Sequence, residues 1–219
     1  MKRRSICASI TTPDPRAIKE IEPMVDLFEV RIDLIGDGWP QVVKQLEKPW
    51  IACNRTAAEG GRWSKEEPER LAELLKAAKL GASIVDLELD TPNLRELVAL
   101  VKEKAECLLS FHDLRGTPSL DSMKEIVRRQ LAAGADICKV VTTARSFADN
   151  LAVLQLIADF PQTRVVAFAM GTLGITSRVL SPLMGGQFTY AAIAQDKESA
   201  PGQLTVSDLN QIYRLMEAQ

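Results

Sequence analysis

The strongest constraint on this chain is a repeated alternation of a short apolar run with an amphipathic stretch. The apolar runs are Ser5–Ile10, Leu27–Leu34, Trp50–Arg55, Ser83–Leu89, Cys107–Asp113, Ile137–Thr143, Arg164–Met170 and Phe188–Ile193. The clearest helical segments between and after them are Lys65–Lys79, Asn93–Glu106, Ser119–Ala133, Ser146–Phe160 and Ser207–Glu217. Ser64, Ser119 and Ser207 stand near helix starts, where a hydroxyl can accept from free backbone amides. Gly81 and Gly134 follow helical segments and suit a left-handed terminal residue, and Pro161 stops another helix. Strands alternating with helices predict a parallel sheet. Eight units in 219 residues leave about 27 residues each, close to the smallest (β/α)₈ barrels. An open doubly wound sheet is the rival architecture, and it usually carries a glycine-rich phosphate turn after its first strand. Thr11-Thr12-Pro13-Asp14, which stands at that place, has no glycine. No linker, low-complexity tract or repeat divides the chain, so one α/β barrel domain is expected over residues 1–219.

Composition narrows the function. Hydrophobic residues make up 46% and charged residues 26%, an ordinary globular balance. The net charge is −2 with no long basic run, which argues against nucleic acid and anionic membranes as partners. No apolar stretch approaches the ~20 residues of a membrane span. Met1-Lys2-Arg3-Arg4 is basic, but the apolar run behind it ends at Thr11-Thr12-Pro13, so it reads as a first strand rather than a signal peptide. Cys7, Cys53, Cys107 and Cys138 form no CxxC pair and lie in or beside apolar runs. They read as buried, reduced thiols of a cytoplasmic protein, with little support for a zinc site.

The polar residues inside the strands carry the functional signal. A parallel strand buried on both faces should be almost wholly apolar. Several here are not. Glu29, Arg31 and Asp33 share one face of the second run, opposite Phe28, Val30, Ile32 and Leu34. Asp86, Glu88 and Asp90 oppose Val85, Leu87 and Leu89. Arg55 ends the third run, Ser110 and His112 share a face of the fifth, and Lys139 lies between Ile137 and Val141. In a barrel the helix-facing side must be apolar, so these faces point to the axis, with most charge toward the C-terminal strand ends where barrel active sites form. Both signs are present, as burial requires. Other readings stay open at this point: Arg31–Asp33 as a structural ion pair, Asp86 with Glu88 as a metal pair, His112 as a satisfied core histidine. An inward lysine in an apolar strand is harder to explain without a partner or a reaction.

Taken in order, the segments Glu29-Val30-Arg31-Ile32-Asp33, Asn54 through Gly61, Asp86-Leu87-Glu88-Leu89, Ser110-Phe111-His112-Asp113, Lys139, Arg178 and Ser199-Ala200-Pro201-Gly202-Gln203 resemble type I (Schiff-base) 3-dehydroquinate dehydratases over nearly the whole chain. The departures are small. Phe111 precedes the histidine where many members are more polar, and an N-terminal extension that closes the barrel floor in larger members is expected to be missing. The resemblance implies dehydration of 3-dehydroquinate through an iminium on Lys139, with His112 as acid/base and Glu59 orienting it. It implies Arg178 as a clamp for the substrate carboxylate, and Ser199 and Gln203 near the carboxylate and the C1 hydroxyl. Glu29 and Arg55 resemble the residues that hold the ring hydroxyls, and Arg31 joins them as a substrate-binding candidate. No cofactor and no metal is expected, and a homodimer is suggested. A lysine must be neutral to attack a ketone, so burial, Arg55 and a protonated His112 are expected to lower the Lys139 pKa from its ~10.4 reference. The polar run Gln195–Gln203 reads as a lid. The alternatives are another class I Schiff-base barrel such as an aldolase, or a non-catalytic barrel subunit.

Overall fold

The computed structural model describes residues 4–217, so the basic start Met1-Lys2-Arg3 lies outside the described residues. The strands are β1 (Ile6–Ile10), β2 (Leu27–Arg31), β3 (Trp50–Cys53), β4 (Ile84–Glu88), β5 (Glu106–His112), β6 (Ile137–Thr143), β7 (Val165–Met170) and β8 (Thr189–Ala192). Neighbours pair in parallel in the order β7-β6-β5-β4-β3-β2-β1-β8. The Gln187 N–H donates to the Val165 carbonyl at 2.8 Å and bridges the two end strands. The result is a nearly closed (β/α)₈ barrel. Its outer layer is α1 (Pro15–Ile21), α2 (Ile32–Ile35), α3 (Trp39–Val43), α4 (Glu67–Lys79), α5 (Leu94–Lys102), α6 (Leu120–Ala132), α7 (Ala148–Asp159), α8 (Ile175–Leu180) and α9 (Val206–Glu217). Among the described residues no helix is long and apolar enough to cross a membrane.

Period-two alternation sorts the strand residues into two cores. Outward residues such as Val30, Val85, Leu109 and Val140 pack against helices, whose buried stripes recur at helical spacing, as Met123, Ile126, Val127 and Gln130 do on α6. Inward residues form a separate cluster that includes Leu27, Ile51, Ile84, Leu108 and Ile137. Along β2 to β6 the inner apolar layer of Leu27, Ile51, Ile84, Leu108 and Ile137 gives way two residues later to Glu29, Cys53, Asp86, Ser110 and Lys139. The inner faces of β7 and β8 remain apolar or aromatic, with Val166, Phe168, Met170 and Tyr190. The barrel therefore has a dry floor and a charged mouth.

The structure shifts several expected boundaries. β2 ends at Arg31, because its partner β3 stops at Cys53, the residue in register with Arg31. Beyond that point the chain turns into α2, which carries Asp33 off the strand. β3 stops early because Asn54 is tied sideways, its carbonyl accepting from Arg70 Nη1 at 2.8 Å. Arg55 is thus just past the strand, not in it. Glu106 opens β5 instead of closing a helix, since its N–H joins the ladder through the Ser83 carbonyl and Arg164 forks its carboxylate at 2.6 and 2.9 Å. Ser119 caps α6 through the Ser122 N–H. Ser64 caps nothing, as α4 starts after Glu66, and α9 is capped by Thr205 in a reciprocal pair with Asp208 rather than by Ser207. Gly81 and Gly134 sit at φ 95° and 98°, as expected. Phe111 packs with the helix-facing core and so stays out of the mouth.

Candidate active site

Buried charges alternate in sign across the mouth. Arg70 Nη1 lies 2.6 Å from Glu88, and Glu88 lies 3.2 Å from Arg55 Nη1. Arg55 Nη2 is 2.6 Å from Asp86, Asp86 is 3.0 Å from Lys139 Nζ, and Lys139 Nζ is 3.5 Å from Glu29. All six are buried. Each contact offsets part of the cost of taking an ion out of water, and breaking one such buried pair typically costs ~3–5 kcal/mol. Strand register builds the chain: Cys53 stands opposite Asp86, and Ser110 opposite Lys139. Ser110 Oγ donates to Asp86 at 2.6 Å and accepts from Arg55 at 2.7 Å, locking the two in place. From outside the barrel, Gln130 on α6 donates to the backbone carbonyl of Lys139 at 2.9 Å.

This setting reverses the expectation for the lysine. Burial alone would lower its pKa, but Asp86 and Glu29 outweigh burial and the repulsion of Arg55, and the net shift is upward. The substrate-free protein therefore holds Lys139 as an ammonium. Side-chain nitrogen NMR should place its titration midpoint above those of exposed lysines, whose pKa is near ~10.4. A midpoint below theirs would contradict the electrostatics of this cluster.

His112, at the end of β5, meets Glu59 through Nδ1 at 2.7 Å. Burial and the neighbouring Arg55 and Lys139 charges hold the imidazole well below its ordinary pKa. Burial pushes Glu59 up to about 8 despite Arg55 at 3.4 Å. The two shifts agree on one state: the pair carries a single proton between them and no net charge. Glu59 reaches this position on a tight turn. A Cβ on Gly61 would fall 2.0 Å from the Arg55 carbonyl oxygen, so only glycine lets the chain fold back here.

Arg178 is the outlier. Its side chain is 1% exposed, yet no carboxylate among the described residues pairs with it. One Nη donates to the Pro201 carbonyl at 3.3 Å, Nε has no partner among the described residues, and burial lowers the pKa to about 9. The helix that carries it is pinned from both sides. The Ser177 hydroxyl accepts from the Ala169 N–H of β7, and Asn150 of α7 accepts from the Ser177 N–H and donates to the Leu173 carbonyl.

The loop after β8 closes the mouth. Gln203 Oε1 accepts from the Ser199 N–H and hydroxyl, and Gln203 Nε2 donates to Ser9 Oγ, which donates to Glu29. The Gly171 N–H donates to the Pro201 carbonyl and Thr11 donates to that of Lys197, fastening the loop to β7 and β1. Beneath it lies one cavity of about 280 Å³. Lys139, His112, Glu59, Glu29, Arg31, Arg55, Arg178, Ser199 and Gln203 all line it, so every candidate site residue read from the sequence converges there. Arg31 is the most committed internally, forked by Asp33 at 2.9 and 2.7 Å, the structural pair held open above. The suggested Asp86–Glu88 metal pair is instead divided among Arg55, Arg70 and Lys139. Glu29, Cys53 and Asp86 group closely enough for a cation, but Lys139 and Arg55 already occupy those carboxylates, and burial drives the Cys53 thiol far above its usual pKa. Sequence reasoning missed Ser9, Phe168 and Tyr190. A serine or an aromatic in an apolar strand reads as core, and nothing in the sequence separates the two cases.

Fold and site together define an enzyme of the (β/α)₈-barrel class, with its polar machinery at the C-terminal mouth. The profile of the Type I 3-dehydroquinase family matches residues 6–219. A protein of Dehalococcoides mccartyi strain 195 called 3-dehydroquinate dehydratase is 42% identical over 215 residues, covering 98% of this chain and 96% of its own length. A namesake from Methanocaldococcus jannaschii is 35% identical over 209 residues, covering 92% and 94%. The solved 3-dehydroquinate dehydratase of Geobacillus kaustophilus superposes with a TM-score of 0.85 at 25% identity, over 99% of this chain and 92% of that one. The Clostridium difficile type I enzyme shares the fold at 0.84 and 21% identity, over 100% and 94%. This chain belongs to the type I 3-dehydroquinase family.

Proposed function

We propose that the protein is a 3-dehydroquinate dehydratase, a hydro-lyase that converts 3-dehydroquinate to 3-dehydroshikimate in the shikimate pathway through a Schiff base on Lys139. The observation that carries the reading is one cavity holding a buried lysine, an acid–base pair and an arginine with no carboxylate partner among the described residues. The barrel of residues 4–217 is the catalytic unit.

The chemical obstacle is a weakly acidic C–H beside a ketone. Lys139 first loses its proton to solvent. The amine attacks the ketone carbon, and the carbinolamine leaves its hydroxyl as water with a proton from His112. The resulting iminium draws electrons from the neighbouring C2–H bond, whose proton His112 removes. The enamine then expels the C1 hydroxyl, protonated by the same imidazole, and water releases the product from Lys139. Glu59 holds the imidazole by Nδ1, which leaves Nε2 for these transfers. Arg178 takes the substrate carboxylate, the counter-charge that no described residue supplies to it. Ser199 and Gln203 flank it, and Glu29, Arg31 and Arg55 face the ring hydroxyls. An aldolase acting on a sugar phosphate needs a phosphate cradle after the seventh and eighth strands, where this chain offers one guanidinium shaped for a carboxylate. A scaffold barrel has no use for a buried arginine that no described carboxylate compensates.

Incubation with 3-dehydroquinate should produce the ultraviolet absorbance of a conjugated carbonyl. Borohydride added during turnover should leave the product mass on the peptide containing Lys139. Failure of both would remove this function. Arg178→Ala should raise KM by roughly one to two decades, as expected for a charge-assisted bond worth ~1.5–3 kcal/mol, with a smaller fall in kcat because substrate and transition state are clamped alike. An unchanged KM would make Arg178 a structural residue. A cytoplasmic location and a homodimer go with this reading. The four free, buried cysteines suit a reducing compartment, and light scattering on the purified protein decides the dimer.

A further inference from the structure

Two of the cavity's cations sit on aromatic rings that the reaction above does not use. Lys139 Nζ stands 4.4 Å from the centroid of the Tyr190 ring, and the Arg178 guanidinium carbon 4.3 Å from that of Phe168. The two rings meet edge to face at 5.8 Å and 63°, and Phe188 meets Tyr190 at 5.4 Å and 77°. All three are buried, so the Tyr190 ring is held between two aromatic neighbours and keeps its orientation. The other groups facing the lysine are ionic or titratable: Asp86 of β4, Glu29 of β2, Cys53 of β3, Arg55 and Glu59 beyond β3, His112 of β5 and Cys7 of β1. They fix the charge balance. A ring face adds a directional attraction that strengthens when cation and ring are both shielded from water. The Tyr190 hydroxyl is buried and bonds to no described group, so the hydroxyl does not explain the residue's place.

We propose that Tyr190 is a positioning residue for the reacting amine, its ring face seating Lys139 Nζ beside Glu29 and Asp86. The same nitrogen bears the positive charge as ammonium and again as iminium, so the ring holds it in one place from the resting enzyme through imine formation. Between these states the nitrogen is briefly neutral, when its lone pair forms the bond to the ketone carbon and when the C2–H electrons reach it as an enamine. The inference rests on Lys139 being the Schiff-base lysine.

The test places phenylalanine and its mono-, di- and trifluorinated analogues at position 190 of the full-length enzyme. Ring shape is kept while the face loses negative charge. The Lys139 midpoint, followed by nitrogen NMR without substrate, should move stepwise to lower pH, a change of ~3- to 30-fold in the protonation constant across the series. Tyr190→Phe itself should stay within about twofold of wild type in kcat, because the face is retained and the unbonded hydroxyl contributes little. Tyr190→Leu should lose ~10- to 100-fold in kcat through misplacement of the amine, with KM nearly unchanged because Arg178 is untouched. A midpoint that stays fixed along the fluorine series overturns the proposal, whether or not the leucine variant folds. Absence of a reducible Lys139 adduct in the wild type overturns instead the assignment of the reacting amine.

Discussion

Lys139→Ala is expected to abolish the borohydride-trapped adduct and to lower turnover by more than ~10⁴-fold, beyond the usual range for losing an acid or base alone. In the proposed mechanism the amine is a covalent participant, and no group among its described neighbours can form the same iminium. Arg55 and Arg178 stay protonated and His112 is tied to Glu59. The substitution also removes a cation from between Glu29 and Asp86. Asp86 keeps Arg55 and Ser110, and Glu29 keeps Ser9. A stability loss of up to ~3–5 kcal/mol is therefore expected, and activity must be read where circular dichroism shows the variant folded. An adduct on Lys197 in the closing loop, or on any other lysine, would sink the assignment.

His112→Ala is expected to keep some imine formation while turnover falls by ~10⁴-fold or more, the upper end for a general acid/base, because one imidazole serves several steps. Lys139 is placed by β6, by Gln130 behind it and by its carboxylates, so its position survives the loss of the ring. The chain has no second histidine. Glu59 is a poor substitute, since it faces the imidazole and Arg55. Carbinolamine dehydration also loses its proton donor, so trapping should slow. A long-lived adduct without turnover, seen by mass spectrometry across pH, is the expected signature. Near wild-type turnover would take the histidine out of the mechanism.

The inner-face pattern made most of the site legible. Period two is a local property, so Glu29, Arg31, Asp86, Ser110, His112 and Lys139 were assigned to the barrel axis from their neighbours alone. The assignments that failed lie where the strands end. Asp33 and Arg55 keep the alternation in sequence, but the Arg70 bond to the Asn54 carbonyl ends β3 at Cys53, and β2 ends with it at Arg31. Glu106 continues a helical pattern but is claimed by Arg164, 58 residues away. The lysine pKa failed for a related reason. Counting nearby cations in the sequence favoured a lowered value, whereas the distances put Asp86 and Glu29 in contact.

The sequence by itself determined the eightfold alternation, the polarity of the inner strand faces and which polar residues face the barrel axis, because hydrophobic period and residue chemistry are written one residue at a time. The tertiary structure alone decided which charge meets which. It gave Arg31 to Asp33, Arg55 to Asp86 and Glu88, and left Arg178 buried without a carboxylate partner among the described residues. It also set two core aromatics against Lys139 and Arg178. These outcomes depend on register and on the closing of β8 against β1, which bring together residues more than a hundred positions apart, and electrostatic energy depends on those distances rather than on order along the chain.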